Sequence, residues 1–205
     1  MARILILFAH PAFEKSRVHS RLIRNLKNQQ GITFHDLYET YPDFDIDIDI
    51  EKNLLLNHDL IICQHPFYWY SAPAMLKQWQ DLVLEHGWAY GPGGTALTGK
   101  YMINAISCGG PREVYAHTGR NRFTVRELLA PFDQTAFLCH MTYLPPFVVH
   151  GTHRLNDNGI EIYGRQYEQT LNDFVHDRIS ADSLKGYEYL NDSQADSLPI
   201  PLIQS

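Results

Sequence analysis

A chain of 205 residues, 44% hydrophobic and 20% charged, has the composition of a folded domain and excludes a disordered or fibrous protein. At this length roughly 70% of the unfolded surface is buried on folding, so one core needs no disulfide or metal staple. The balance of 17 basic against 23 acidic residues, a formal charge of −6, leaves no basic footprint for nucleic acid and no broad attraction to anionic lipid. Cys63, Cys108 and Cys139 are odd in number and share no CxxC spacing, which suits a reducing compartment.

Met1-Ala2-Arg3 followed by apolar Ile4–Ala9 imitates a leader peptide, but the run is short and His10-Pro11 stands where small cleavage residues belong. It reads as a first strand. Val18, Leu22, Ile23 and Leu26 then recur at helical spacing, with Ser16 as N-cap and Gly31 past the end. Ile32–Tyr38 alternates like an edge strand. Asp45, Asp47 and Asp49 alternate with Ile46, Ile48 and Ile50 and read as an extended segment with one wet face. A calcium loop is excluded there, because Ile50 replaces the obligatory Gly and Leu56 the bidentate Glu. Leu60–Cys63 is a second buried strand, and Pro73 opens a helix with Met75, Leu76, Trp79, Leu82 and Val83 on one face.

Gly94–Lys100 spells most of a phosphate-binding loop, but Tyr101 follows and the segment enters a strand instead of leaving one. Tyr101–Ser107 and Ala136–Tyr143 are further apolar strands, separated by a short helix near Phe123–Leu129. His150 and His153 read as surface loop residues, and no metal motif is present. A last helix carries Tyr163, Tyr167, Leu171, Phe174 and Val175. Residues 1–180 make one domain, and 181–205, acidic, Ser-rich and closed by Pro199 and Pro201, reads as a loose or partner-docked tail.

Strands alternating with helices predict an α/β fold, a doubly wound five-stranded parallel sheet with helices on both faces. In such a sheet ligands lie beyond the carboxyl ends of the strands, at the switch in strand order. Three loops lie there. The first, 10–19, opens a helix whose free amides suit a phosphate, with His10, Ser16, Arg17, Val18 and His19 as candidate contacts. It has no glycine, so the dinucleotide fingerprint is absent. The second, Phe67-Tyr68-Trp69-Tyr70, stacks four aromatics where no single core face can take them all, a cavity or an interface being the alternatives. The third, Ser107-Cys108-Gly109-Gly110, allows close backbone approach, and Tyr115 and His117 follow within reach.

Together these loops resemble the flavodoxin-like NAD(P)H:quinone reductase family, most closely the ancillary subunits of bacterial glutathione-regulated potassium-efflux (Kef) systems. The matching strings are Ala9-His10-Pro11, Tyr41-Pro42-Asp43-Phe44, Gln64-His65-Pro66 with Trp69-Tyr70-Ser71, His86-Gly87-Trp88-Ala89-Tyr90-Gly91 and Leu144-Pro145-Pro146-Phe147, within about residues 2–178. The resemblance implies strand order 2-1-3-4-5 and a flavin held with its phosphate at His10 and Ser16–His19 and its ring against Phe67–Tyr70 and Ser107–Gly110. Where related reductases carry Asn three residues after the serine, His19 stands here. Tyr115 falls at the spacing of the family's catalytic Tyr, while Asn121 holds the position of its His and His117 lies nearby.

These features point to hydride transfer from NAD(P)H, by way of FMN (FAD the alternative), to a quinone or similar electrophile in ping-pong fashion, with Tyr115 or His117 as acid. The alternatives are a regulatory subunit of a potassium-efflux antiporter and a flavodoxin-type electron carrier. A homodimer is expected from the loop aromatics Trp69, Tyr70, Trp88 and Tyr90. The expected location is cytoplasmic, with docking at the inner face of the cell membrane open and no nucleic-acid partner.

Overall fold

In the computed structural model, which describes residues 1–27, 29–184 and 186–194, strands of 2–7 residues assemble into one parallel sheet. The fully buried β1 (Ile4–Phe8) lies between β2 (Ile32–Asp36), at the edge, and β3 (Leu60–Pro66); β4 (Tyr101–Ser107) and β5 (Thr142–Tyr143) follow. The order is 2-1-3-4-5, the flavodoxin-like winding. Alternation along the strands divides the core. Ile4, Ile6 and Phe8 pack against α1 (Arg17–Ile23) and α7 (Asp157–Val175). Leu5 and Leu7 face α2 (Leu37–Thr40), α3 (Ile48–Leu56) and α4 (Ala74–Val83).

Local signals place the helix starts. Ser16 Oγ accepts the His19 amide hydrogen to cap α1, and Asn156 does the same for α7 through Gly159. Asp47 caps α3, so the alternating Asp/Ile stretch is a helix entry and not an extended segment.

The expected strand Ala136–Tyr143 is also corrected. A capping box of Thr124 and Glu127 starts α5 (Val125–Leu128), and α6 (Ala130–Leu138) follows with Pro131 in its first turn. Phe132 and Ala136 face inward at i, i+4, while Phe137 and Leu138 point outward, 71% and 48% exposed. The apolar run is therefore the outer end of a helix. The fifth strand position is shared by β5 and β6 (Phe147–Val149), both paired with β4. From Met102 to Ala105 the partner runs from Tyr143 to Phe147, one residue longer, at Pro145-Pro146, where prolines have no N–H for the ladder.

The tail is not loose where it is described. Leu184, Tyr189 and Leu190 are buried in the two cores, and the Leu190 amide donates to Pro146 O at 2.9 Å. Its prolines, Pro199 and Pro201, lie outside the described residues. No described helix is long and apolar enough to cross a membrane.

Candidate functional site

Two cavities open side by side at the carboxyl ends of the strands, about 660 and 430 Å³, sharing Phe67, Trp69, Gly109 and His153 as a common wall. The larger is lined by His10, Ser16, Arg17, Val18, Tyr68 and Ser107. The smaller is lined by Tyr70, Gly110 and Tyr115. Eleven of the thirteen expected cofactor contacts, with the candidate catalytic Tyr115, thus line one continuous cleft.

Its first end is rich in donors. The amides of Arg17 and Val18, in the first turn of α1, have no intrahelical acceptor. His10 Nδ1 accepts the Ala12 amide hydrogen at 3.1 Å, so the neutral ring carries its proton on Nε2; burial lowers its pKa and favours that form. Ser16 Oγ is already an acceptor in the cap and keeps its O–H to give. The Arg17 guanidinium turns away to Asp157 at 2.6 Å, so this residue offers its backbone and not its charge.

The second end is aromatic and constrained. Phe67 is buried beneath Tyr70 and Tyr115, at ring separations of 6.5 and 6.2 Å. Trp69 and Tyr70 sit at φ 51° and 63°, the left-handed region, which costs a residue with a Cβ roughly 1–2 kcal/mol. That conformation holds Trp69 92% exposed at the cleft mouth, and such strain persists only where the surroundings enforce it. Gly109 and Gly110 lie close under their neighbours: a Cβ would come within 2.6 Å of His153 Nε2 in one case and 2.8 Å of a Val114 methyl in the other, so either side chain would have to shift.

Three candidates are not brought into the cleft. Cys108 turns into the core, where burial pushes its thiol up to about 12. His117 points outward, its side chain 70% exposed and 3.5 Å from Glu127, so the structure does not support it as the acid. His19 is fully buried behind the wall. There Tyr167 O–H donates to Gln64 Oε1 at 3.0 Å, Gln64 Nε2 lies 3.2 Å from His19 Nδ1, and His19 Nε2 lies 2.9 Å from Ser107 Oγ. The buried phenol has Gln64 as its hydrogen-bond acceptor, and reversing the amide would strand that O–H in the interior. Every proton in the chain therefore points one way, His19 donates to Ser107, and the Ser107 O–H is left to donate into the cleft. Burial, then the charges of His10 and His65, hold the His19 pKa well below its ordinary value, so the relay is neutral.

The site also has a fourth wall, Thr152, His153 and Arg154, reached from β6. A fifth strand at 136–143 would end far from this loop, which is why the sequence gives no hint of these residues. Of the two histidines expected at the surface, His153 is exposed and His150 is not. His150 is buried between Tyr115 and Tyr189, at 5.7 and 5.3 Å, and burial followed by the Arg112 charge pushes it down to about 3. Trp88 and Tyr90 are half-buried against their own core, which leaves Tyr68, Trp69 and Tyr70 as the exposed aromatics of the cleft.

A doubly wound sheet with a donor-lined and an aromatic half-cleft at its switch point defines a flavodoxin-like protein. The chain belongs to the family described as flavodoxin-like fold, which matches residues 2–171. It is 45% identical over 159 residues to the uncharacterized NAD(P)H oxidoreductase YrkL of Bacillus subtilis, covering 78% of this chain and 91% of that one. It is 40% identical over 170 residues to the glutathione-regulated potassium-efflux system ancillary protein KefG of Enterobacter sp. strain 638, covering 83% and 93%. Among solved structures, general stress protein 14 of Treponema denticola in complex with FMN superposes with TM-score 0.77 at 38% identity, covering 83% and 98%. An NADPH-quinone reductase from P. pentosaceus gives 0.74 at 34%, covering 82% and 96%.

Proposed function

We propose that this protein is an FMN-dependent NAD(P)H oxidoreductase that reduces quinones or similar electrophiles by two electrons, the two substrates using one cleft by turns. The carrying observation is the division of that cleft into a donor-rich end and an aromatic end joined at Phe67 and Gly109. The related structure with FMN and the relative named as an NADPH-quinone reductase support the same reading.

The residues fit FMN. His10 Nε2–H, the Ser16 hydroxyl and the Arg17 and Val18 amides would take its single phosphate, and the glycine-free turn suits one phosphate better than the pyrophosphate of FAD. Ser107 would donate to an acceptor on the flavin, and Phe67–Tyr70 with Gly109 and Gly110 would flank the ring. Bound flavin supplies the hydride chemistry. Tyr115 keeps its proton, because burial and the adjacent Cys108 thiol raise its pKa, and as a fixed O–H donor it can stabilise charge on the substrate oxygen. Arg120 and Arg154, on the smaller cavity, offer charge to a phosphate of the hydride donor.

The exposed Trp69 and Tyr70 support a homodimer that shares this mouth. The KefG relatives support a second role as an ancillary subunit docked on a potassium-efflux transporter at the inner membrane face.

Mass spectrometry of the small molecule released on denaturation, with stopped-flow reduction by NADPH and reoxidation by benzoquinone, tests the enzyme. FMN released and both half-reactions observed are expected, with Tyr115→Phe slowing one of them about 10-fold. Purified protein that neither carries nor takes up flavin overturns the proposal.

A further inference from the structure

The family match ends at residue 171, and the relatives align with about four fifths of the chain. Beyond that point the chain returns to the site. Residues 186–194 run along the outer edge of β6, where the Val148 amide donates to Asn191 Oδ1 at 2.8 Å and the Leu190 amide to Pro146 O at 2.9 Å. The segment thus covers backbone groups that an edge strand would leave open.

From the other side it is gripped by the turn that comes after the two glycines. Arg112 donates to both carboxylate oxygens of Asp192, at 2.6 and 3.0 Å, and to Glu188 at 2.6 Å. Its guanidinium also lies 4.5 Å over the ring of Tyr189. A planar fork held by two carboxylates and an aromatic face has little freedom left. Tyr189, 1% exposed, packs on His150, and His150 packs on Tyr115. The strap therefore reaches the Gly109–Tyr115 turn twice, through Arg112 at its start and through stacked rings at its end.

We propose that residues 186–194 are a positioning element of the site, fixing where the Tyr115 hydroxyl and the glycine turn stand at the aromatic end of the cleft. The inference rests on the reductase reading for its effect on rate, and on the contacts alone for its effect on the turn. Arg112, Glu188, Tyr189 and Asp192 line neither half of the cleft, so they act through Tyr115 and not on the substrate.

Hydrogen exchange on the purified full-length protein reads the coupling directly. In Arg112→Gln, amides 109–116 should exchange about 10-fold faster, while those of β1 and β3 keep their protection. Tyr189→Leu, which spares both ion pairs, should loosen the same amides and serves if Arg112→Gln folds poorly. A kinetic cycle reads the consequence. Arg112→Gln should lower kcat/KM for benzoquinone about 5-fold with flavin affinity kept within about 2-fold, and should cost less than about 2-fold more once Tyr115 is Phe. Unchanged exchange at 109–116 overturns the proposal, as do effects of Arg112→Gln and Tyr115→Phe that simply multiply. Faster exchange in a protein whose wild type reduces no quinone overturns the reductase reading and leaves the strap's hold on the turn in place.

Discussion

Gln64 and His65 are neighbours on β3 and anchor two buried hydrogen-bond relays of the same composition, one on each face of the sheet. On the α1/α7 face, Tyr167, Gln64 and His19 pass hydrogen bonds to Ser107. On the other face, Tyr143 donates to Asn104 Oδ1 at 2.7 Å, Asn104 Nδ2 lies 3.0 Å from His65 Nε2, and His65 Nδ1 lies 3.0 Å from Pro66 O. A carbonyl only accepts, so this relay is directed as firmly as the first, from its far end. Both are a phenol, an amide and an imidazole in series. They differ in where they stop: one ends on a hydroxyl in the cleft wall, the other on a backbone carbonyl. The first fixes the direction of the Ser107 hydroxyl in the cleft wall, the contact proposed for flavin. The second ties β3 to β4, with the His65 ring stacked on Phe132 at 5.7 Å, and has no outlet.

That difference is open to attack in order of size. His19→Leu and His65→Leu each leave buried polar partners unmatched and should cost about 3 kcal/mol of stability alike, read from urea midpoints. Only His19→Leu should also weaken flavin, read from fluorescence titration, and equal losses would erase the distinction. Acid comes next. Burial holds His65 at about 4 and His150 at about 3, whereas an unfolded chain protonates them below about 6.5. The unfolded state then binds more protons, so stability falls as pH drops from 6.5 towards the folded values. At pH 5 each ring should cost about 2 kcal/mol relative to pH 7, and His65→Leu should flatten the slope. A pH-independent midpoint between 5 and 7 would refute this. Ser107→Ala removes the outlet and leaves the buried His19 Nε2–H without its acceptor. Flavin affinity should fall about 10-fold, or about 1.4 kcal/mol, with a stability loss of about 1 kcal/mol, smaller than that of either histidine change. The smallest effect is spectroscopic: nitrogen-15 spectra should show His19 protonated on Nε2 and His65 on Nδ1. Identical tautomers would mean that one relay runs backwards.

Much of this site was legible because the carboxyl ends of β1, β3 and β4 follow from apolar runs, and the loops after them carry unusual residues. Period-two alternation from Ser107 also accounts for Cys108 turning inward between two cleft-facing neighbours. The loop at 150–154 was not legible, since a helix end with Phe137 and Leu138 exposed reads as a strand when only hydrophobicity is counted. The relays lay deeper still. Tyr167 and Gln64 are 103 positions apart, a spacing with no local signature. The Gln64-His65-Pro66 string marked the place without showing that successive side chains serve opposite faces. The strap escapes a sequence reading because acidic, Ser-rich sequence suggests solvent, while Glu188 and Asp192 are the partners of one arginine.

Adjacent residues with opposite destinations have a further effect, on how the chain finds its register. A slip of β3 by one position against β1 and β4 would present His65 to Tyr167 in one direction, or Gln64 to Phe132 in the other. Neither pair can rebuild the lost bonds, and each stranded group costs about 1–3 kcal/mol. Apolar strands such as Leu60–Cys63 discriminate poorly between neighbouring alignments, because Leu, Ile and Cys are tolerated on either face. The polar pair at the end of the strand supplies the missing discrimination, acting as the reading frame for the middle of the sheet.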